Sequence, residues 1–297
     1  MGIGLFEWRT GKLTRIPNPP RGQLYQPSFS SDGKRLVVAH GVFDGLFPKS
    51  LDILDIATLE LSEIAPVDVD PKLYPVFQPG SENVLYVQYN RYLVHQLSLL
   101  NLVTHSETTV LDQRHGFITG IERPSFIGPD NIVFQGTGPV NQEQRQATLE
   151  FVSDYVSRVS YRLTVGDAQA GFLFPEIQKP HKRRLDQGIA SLSANSDGSI
   201  IAFAAQPFDT PTNERGEYNY EIFKVENGEV RQLTHLRSYV AYPRISSDGS
   251  IVAFGSDPKR VRDGTGLDLF VLDMRTNGIT ATGLRDRLAG NPEFALH

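Results

Sequence analysis

The run Pro27-Ser28-Phe29-Ser30-Ser31-Asp32-Gly33-Lys34-Arg35-Leu36-Val37-Val38 decides the fold, because its plan returns along the chain. A loop and then Leu51-Asp52-Ile53-Leu54-Asp55 follow it. The plan recurs at Pro243-Arg244-Ile245-Ser246-Ser247-Asp248-Gly249-Ser250-Ile251-Val252-Ala253-Phe254, which leads to Leu267-Asp268-Leu269-Phe270-Val271-Leu272-Asp273. A third copy runs Ala190-Ser191-Leu192-Ser193-Ala194-Asn195-Ser196-Asp197-Gly198-Ser199-Ile200-Ile201-Ala202-Phe203, then Tyr220-Glu221-Ile222-Phe223-Lys224-Val225. Looser copies begin at Pro75-Val76-Phe77 and Pro124-Ser125-Phe126. The spacing is about 50 residues, a length typical of one propeller blade.

Each copy decodes into four strands. The Pro-x-Phe run predicts a short inner strand with Pro at its first residue, where a missing N–H costs least. Ser-Asp-Gly turns the chain, with Gly supplying positive φ. The next strand is apolar at nearly every residue, as expected where both faces are buried. A variable loop leads to an alternating third strand, and a turn such as Thr276-Asn277-Gly278 or Glu226-Asn227-Gly228 leads to a polar outer strand. There is no sustained helical period, so very little helix is expected. A four-stranded sheet cannot cover both its faces alone; sheets stacked around an axis can. The expected fold is therefore an all-β propeller of four-stranded antiparallel blades in a single domain, residues 1–297. The blades are expected near 22–66, 72–112, 122–166, 188–235 and 240–283. A sixth, closing blade is expected from 290–297 plus 1–17, because Leu5–Ile16 resembles a third and fourth strand and Asn291-Pro292-Glu293-Phe294 the start of an inner one. Five blades is the alternative.

Pro-x-Phe-Ser-x-Asp-Gly, an apolar strand, an apolar-Asp strand and a Thr/Asn-Gly turn resemble the WD-like repeat of the TolB-type propellers, a family that includes the propeller halves of prolyl-oligopeptidase-like peptidases. The likeness covers nearly the whole chain and is strongest in the copies at 27, 190 and 243. It implies a six-bladed propeller and a protein- or peptide-binding role. Nothing in this sequence corresponds to the additional N-terminal domain of TolB. The motif residues build turns and core, so the resemblance speaks to fold more than to function.

Composition narrows the function classes. Twenty-nine Lys and Arg against 34 Asp and Glu give a net charge of −5, which argues against nucleic acid as a partner. The absence of cysteine rules out disulfides, thiolate metal sites and Cys nucleophiles. No apolar run is long enough to cross a membrane as a helix, and the first residues do not read as a secretory leader. The expected location is the cytoplasm, or the periplasm if a leader has been removed, and the expected state is a monomer. There is no Gly-x-Ser-x-Gly elbow, no phosphate-binding Gly-Lys-Ser/Thr loop and no His-Glu-x-x-His. The seven histidines are scattered without ligand-type pairing. No metal and no cofactor are expected.

Three further features are read as structure. The acids Asp52, Glu221 and Asp268 at the start of the third strand, and Glu7, Asp55 and Asp273 near its end, recur per blade and are expected to accept hydrogen bonds. The basic run Lys179–Arg184 and the stretch Asp263–Asp268 are read as loops. Tyr86, Tyr89 and Tyr92 are read as strand packing.

Topology supplies the candidate site. Residues just before each inner-strand Pro would ring the channel mouth: Gln26, Tyr74, Arg123, Tyr242 and Asn291, with Ala190 at that place in the fourth copy and Tyr25 and Glu122 adjacent. The long loops 40–50, 136–147, 206–219 and 255–267 open on the same face, and loops carry function more often than scaffolds do. The expected function is a non-catalytic propeller that binds a protein or peptide at this mouth. The alternative is a hydrolase or lyase acting on a saccharide in the channel, which would need converging carboxylates.

Overall fold

A computed structural model describes residues 3–20, 22–41, 47–65, 70–89, 95–112, 119–137, 159–167, 170–172, 191–207, 220–257 and 267–290. The chain opens with a two-stranded hairpin, β1 (Gly4–Glu7) and β2 (Lys12–Arg15). Five four-stranded antiparallel sheets follow in chain order. Sheet one is β3 (Gln23–Phe29), β4 (Arg35–Gly41), β5 (Ser50–Asp55) and β6 (Leu61–Ala65). Sheet two is β7 (Lys72–Phe77), β8 (Asn83–Tyr89), β9 (His95–Asn101) and β10 (Glu107–Asp112). Sheet three is β11 (Thr119–Ile127), β12 (Asn131–Thr137), β13 (Val159–Thr164) and β14 (Gly171–Phe172). Sheet four is β15 (Ser191–Ala194), β16 (Ile200–Ala205), β17 (Glu221–Glu226) and β18 (Glu229–Gln232). Sheet five is β19 (Tyr239–Ile245), β20 (Ile251–Asp257), β21 (Asp268–Asp273) and β22 (Ile279–Ala281). One short helix, α1 (Leu284–Ala289), comes last. The fold is all-β, built from propeller blades; of the expected closing blade the described residues show only the β1–β2 hairpin.

Contacts gather the chain into two units: residues 1–5 with 14–175, and 6–13 with 176–297. In the first unit, Val37, Ala39 and Leu51 of sheet one share an apolar cluster with Phe77, Val84 and Tyr86 of sheet two. Leu85, Val87 and Leu97 on the opposite face of sheet two pack with Phe126, Ile132 and Phe134 of sheet three. In the second unit, Ala202, Ala204 and Ile222 of sheet four pack with Val252, Phe254 and Leu272 of sheet five. The second strand of a blade is apolar at consecutive residues because alternate side chains serve two neighbouring blades.

The tight turn between first and second strands is chemically uniform. In sheet five, Asp248 Oδ1 accepts from Ser246 Oγ at 2.6 Å and from Ser250 N at 3.0 Å. These hydrogen bonds, Ser246's foremost, lower the Asp248 pKa to about 2. Gly249 follows at φ 72°. A Cβ there would also lie 3.0 Å from Ile200 Cδ1, so Gly serves both the turn and the close approach of sheet four. Between sheets one and two, Arg35 reaches Glu82 with two bonds of 2.8 and 2.9 Å and lies over the Phe77 ring. That pair is partly exposed, so its geometry fixes blade orientation more than it adds stability.

The structure corrects one expectation about the inner strand. Pro27, Pro75, Pro124 and Pro243 do not open their strands, which begin at Gln23, Lys72, Thr119 and Tyr239. Each Pro instead occupies a β-bulge. Tyr25 pairs with Ala39 and Ser28 with Val37, so Gln26 and Pro27 together face Val38. Register shifts fall at the same place between Leu73 and Val76, Glu122 and Ser125, and Ala241 and Arg244. A proline cannot donate to the ladder, and a bulge is where the ladder is interrupted anyway. Sheet four has Leu192 in place of Pro, and its first pair runs unbroken from Ser191↔Ala204 to Ala194↔Ile201.

Candidate functional site

Each bulge puts the residue before Pro into the left-handed region: Gln26 at φ 52°, Tyr74 at 54°, Arg123 at 51° and Tyr242 at 56°. For a residue with a Cβ this costs about 1–2 kcal/mol. Burial opposite the bulge offsets it: Val38, Tyr86, Phe134 and Phe254 are buried, each contributing about 1.5–3 kcal/mol. The bulge also moves these residues relative to the expected rim. Each lies two to four residues inside its strand, so Gln26 is roughly 10 Å from the strand start.

In the first unit the bulges are joined by a side chain. Gln26 Oε1 accepts a hydrogen bond from Tyr74 N at 2.7 Å. In the second unit Ser191 Oγ accepts one from Tyr242 N at 3.0 Å, and Ser193 Oγ accepts from Ile245 N at 3.3 Å. Ser191, not Ala190, therefore takes the place of Gln26 in the fourth copy; Ala190 lies outside the described residues. Counting back from the Asp-Gly turn, Ser191 to Asp197 as Gln26 to Asp32, would have found it.

The other expected site residues divide as follows. Tyr25 donates its hydroxyl to Gln23 Oε1 at 3.0 Å and packs on the cluster below Ala39. Tyr74 packs on the sheet two–sheet three cluster. Glu122 and Arg123 are half-buried on β11. Tyr242 is 51% exposed, which makes it the most accessible of the bulge residues named. Asn291 lies outside the described residues, as do the Lys179–Arg184 run, Asp263–Gly266, Tyr92 and most of the long loops. Sequence reasoning missed His95, which stacks on Tyr89 with ring centroids 3.8 Å apart. Its Nδ1 lies 3.3 Å from Ile121 O. Burial lowers the His95 pKa, opposed by the Ile121 carbonyl and the charge of Glu122.

The recurring acids are engaged in structure, though not in one register. Glu221 pairs with Ala205 and Asp268 with Ser256, whereas Asp52 pairs with Val38, two residues further along its strand. Glu221 accepts from Thr234 Oγ1, Leu236 N and Arg237 N at 2.6–2.9 Å. Asp268 Oδ1 accepts from Arg285 N at 3.1 Å, holding the segment that begins α1. At the strand end, Asp55 accepts from Ala57 N and Thr58 N, and Asp273 from Arg275 N and Thr276 N. Asn101 does the same for Val103 and Thr104. A Thr three residues after the Asp or Asn is the signal that marks all three turns.

Asp52 differs, because its partner is a side chain. His40 Nδ1 lies 3.0 Å from Asp52 Oδ2, in a buried pair. Gly22 is required beside it, since a Cβ would fall 2.5 Å from His40 Nε2 and 2.4 Å from Gly41 O. Burial raises the Asp52 pKa; the charge of His40 opposes this and that of Glu63 adds to it. A raised folded pKa favours the protonated native state. The stability it confers is present below the unfolded carboxyl value near 4 and is lost as pH rises through the folded value. Asp52→Asn is therefore expected to narrow the fall in the urea midpoint between pH 4 and pH 7. An unchanged pH slope would show that the pair does not titrate in that window.

Among the described residues no three His, Asp or Glu side chains come together as a metal site, and no helix is long and apolar enough to cross a membrane.

No family model matches the chain, and no curated protein matches it. Solved structures do. TolB from Acinetobacter baumannii is 15% identical with a TM-score of 0.63, over 94% of this chain and 58% of that one. The chain thus spans less than two thirds of that relative. A putative TolB from Agrobacterium tumefaciens is 15% identical with a TM-score of 0.63, over 95% of this chain and 87% of that one. An oligogalacturonate lyase in complex with manganese is 16% identical with a TM-score of 0.60, over 94% of this chain and 69% of that one. The chain is thus TolB-like in its propeller fold.

Proposed function

We propose that the chain is a non-catalytic propeller scaffold that binds a protein or peptide through the bulge residues on the first strands of its blades. The observation that carries this reading is the choice of residue at the left-handed positions. Gly would satisfy a bulge at least cost, yet these positions hold Gln26, Tyr74, Arg123 and Tyr242. Strain of this kind persists where the surroundings over-determine it and clusters at binding sites. Tyr and Arg are the residue types that dominate binding energy when they anchor a partner. The bulge also fixes each backbone, so these side chains are presented with little entropy left to lose. The TolB-like fold supports the same reading, although structures of similar fold include an oligogalacturonate lyase as well as TolB. Glu221, Asp52 and Asp268 hold turn amides or His40, which favours binding over carboxylate chemistry.

Capture from an extract of the native host, on immobilised chain and quantified by mass spectrometry, tests this. Arg123→Ala and Tyr242→Ala are each expected to lower recovery of the specific partner at least tenfold, about 1.4 kcal/mol, with circular dichroism melts unchanged. Equal recovery by both variants would move the interface off these strands.

A further inference from the structure

We infer that sheet one, around Phe29 and the free edge of β1, is an acceptor for one extended strand supplied by a partner polypeptide. The proposal is independent of the bulge residues and rests on a break in the repeat. In sheets two and three the Phe that ends the first strand is covered by the second strand of the preceding sheet. Phe77 is 7% exposed and clusters with Val37 and Ala39. Phe126 is 5% exposed and clusters with Leu85 and Val87. Phe29 holds the same position in sheet one and is 58% exposed, with Pro27 exposed beside it.

The covering is partial. Ile3 and Leu5, together with Ile16, pack over Leu36, Val38 and Leu54. They do the work of the third and fourth strands of a preceding blade. The strand that would cover Phe29 lies next to a third strand in each complete sheet, and so belongs beside β1. Among the described residues β1 pairs with β2 alone. Ile3 O accepts from Ile16 N, so Ile3 faces β2. Main-chain polar groups alternate between the two edges of a strand, so Gly4 turns its N–H and C=O to the free edge. Gly4 is exposed. Free edge groups beside an uncovered aromatic are the two elements of recognition by strand addition: main-chain bonds give affinity and alternate side chains give specificity.

The repeat defines the occupant. It runs antiparallel to β1 for six or seven residues, with apolar side chains at alternate positions, as Arg35-Leu36-Val37-Val38-Ala39-His40-Gly41 does for Phe77. Asn291-Pro292-Glu293-Phe294 does not have that pattern; it carries the Pro-x-Phe signature of a first strand.

Fluorescence polarisation of the full chain with a fluorescein-labelled peptide copying residues 35–41 tests the site. Saturable binding is expected, at least tenfold weaker for a scrambled peptide of the same composition. Phe29→Glu should weaken it at least tenfold. Gly4→Pro, which removes the edge donor, should weaken it at least fivefold. Ile279→Glu, on the exposed edge strand β22, should leave it unchanged. Urea midpoints confirm that each variant is folded. Absence of saturable binding, equal binding of the scrambled peptide, or binding by Phe29→Glu at the wild-type level overturns the proposal. A tenfold gain in affinity on deleting residues 291–297 also overturns it, by showing that the chain fills the site itself.

Discussion

Replacing Glu221 with Ala is expected to lower the unfolding free energy by about 3 kcal/mol, the range in which a buried charge network loses one member. The residue is 2% exposed, and three donors converge on its carboxylate. Thr234 Oγ1 is itself an acceptor for Ile222 N at 2.9 Å, so the loss reaches the first residues of β17. Leu236 N and Arg237 N belong to the connection between sheets four and five, and Arg237 sits at φ 50°. The carboxylate therefore holds a strained turn that delivers the chain to β19, on which Tyr242 stands. Arg237 is exposed, so water can replace one of the three bonds; this keeps the figure below the sum of three orphaned donors. Glu221→Gln keeps the volume but turns an NH₂ group toward one donor, and should cost about half as much. Urea titration measures both. A double-mutant cycle with Thr234→Ala should return a coupling above about 1 kcal/mol. A change below 1 kcal/mol for Glu221→Ala would mean that the connection is held by packing alone.

The same residues show which parts of the fold are legible in a sequence. Pro27-Ser28-Phe29 and the Asp-Gly turns announce the blades because turn chemistry is local: a few residues determine φ and the hydrogen bonds. The apolar second strands are legible because burial on both faces leaves no room for polar alternation. The bulge is harder to read, although its cause is in plain sight. A Pro within an extended run implies a broken ladder, but nothing local says how many residues precede it in the strand. That number depends on pairing with the second strand, and it displaced Gln26, Tyr74, Arg123 and Tyr242 from the expected rim. The His40–Asp52 pair was illegible for a related reason. The two residues are joined by the cross-strand register of β4 and β5, and register is set by the whole sheet. Asp52 aligned by eye with Glu221 and Asp268, although pairing places it two residues further along. For the candidate site, sequence supplied the residue types and the structure supplied the backbone geometry that makes them unusual.

Phe254→Ala is expected to cost about 3–5 kcal/mol, as for other large buried aromatics. Three facts place it in that range. Phe254 is 1% exposed and packs with Val252, Leu272 and Ala202 across sheets four and five. It stacks on Phe270 with centroids 5.7 Å apart and an interplanar angle of 17°, an arrangement that adds about 0.5–1.5 kcal/mol beyond area burial. It also faces the Tyr242-Pro243 bulge, because Ala241 pairs with Gly255 and Arg244 with Ala253. This third fact decides how far the site can relax. The proline ring, the left-handed Tyr242 and the Ser191 Oγ bond to Tyr242 N fix the backbone that would have to collapse into the space. The neighbours from sheet four, Ala202 and Ala204, are too short to reach in. The cavity should persist, and cavity volume is what raises the cost of such substitutions. Guanidinium denaturation should show a lower midpoint at unchanged slope. Phe254→Leu, which fills most of the space, should cost about 1.5 kcal/mol or less. Ile279→Ala, at an exposed edge, should lie within about 0.5 kcal/mol of wild type. If Phe254→Ala fell as little as Ile279→Ala, the bulge would have to be pliable, and the argument that it presents Tyr242 rigidly to a partner would fall with it.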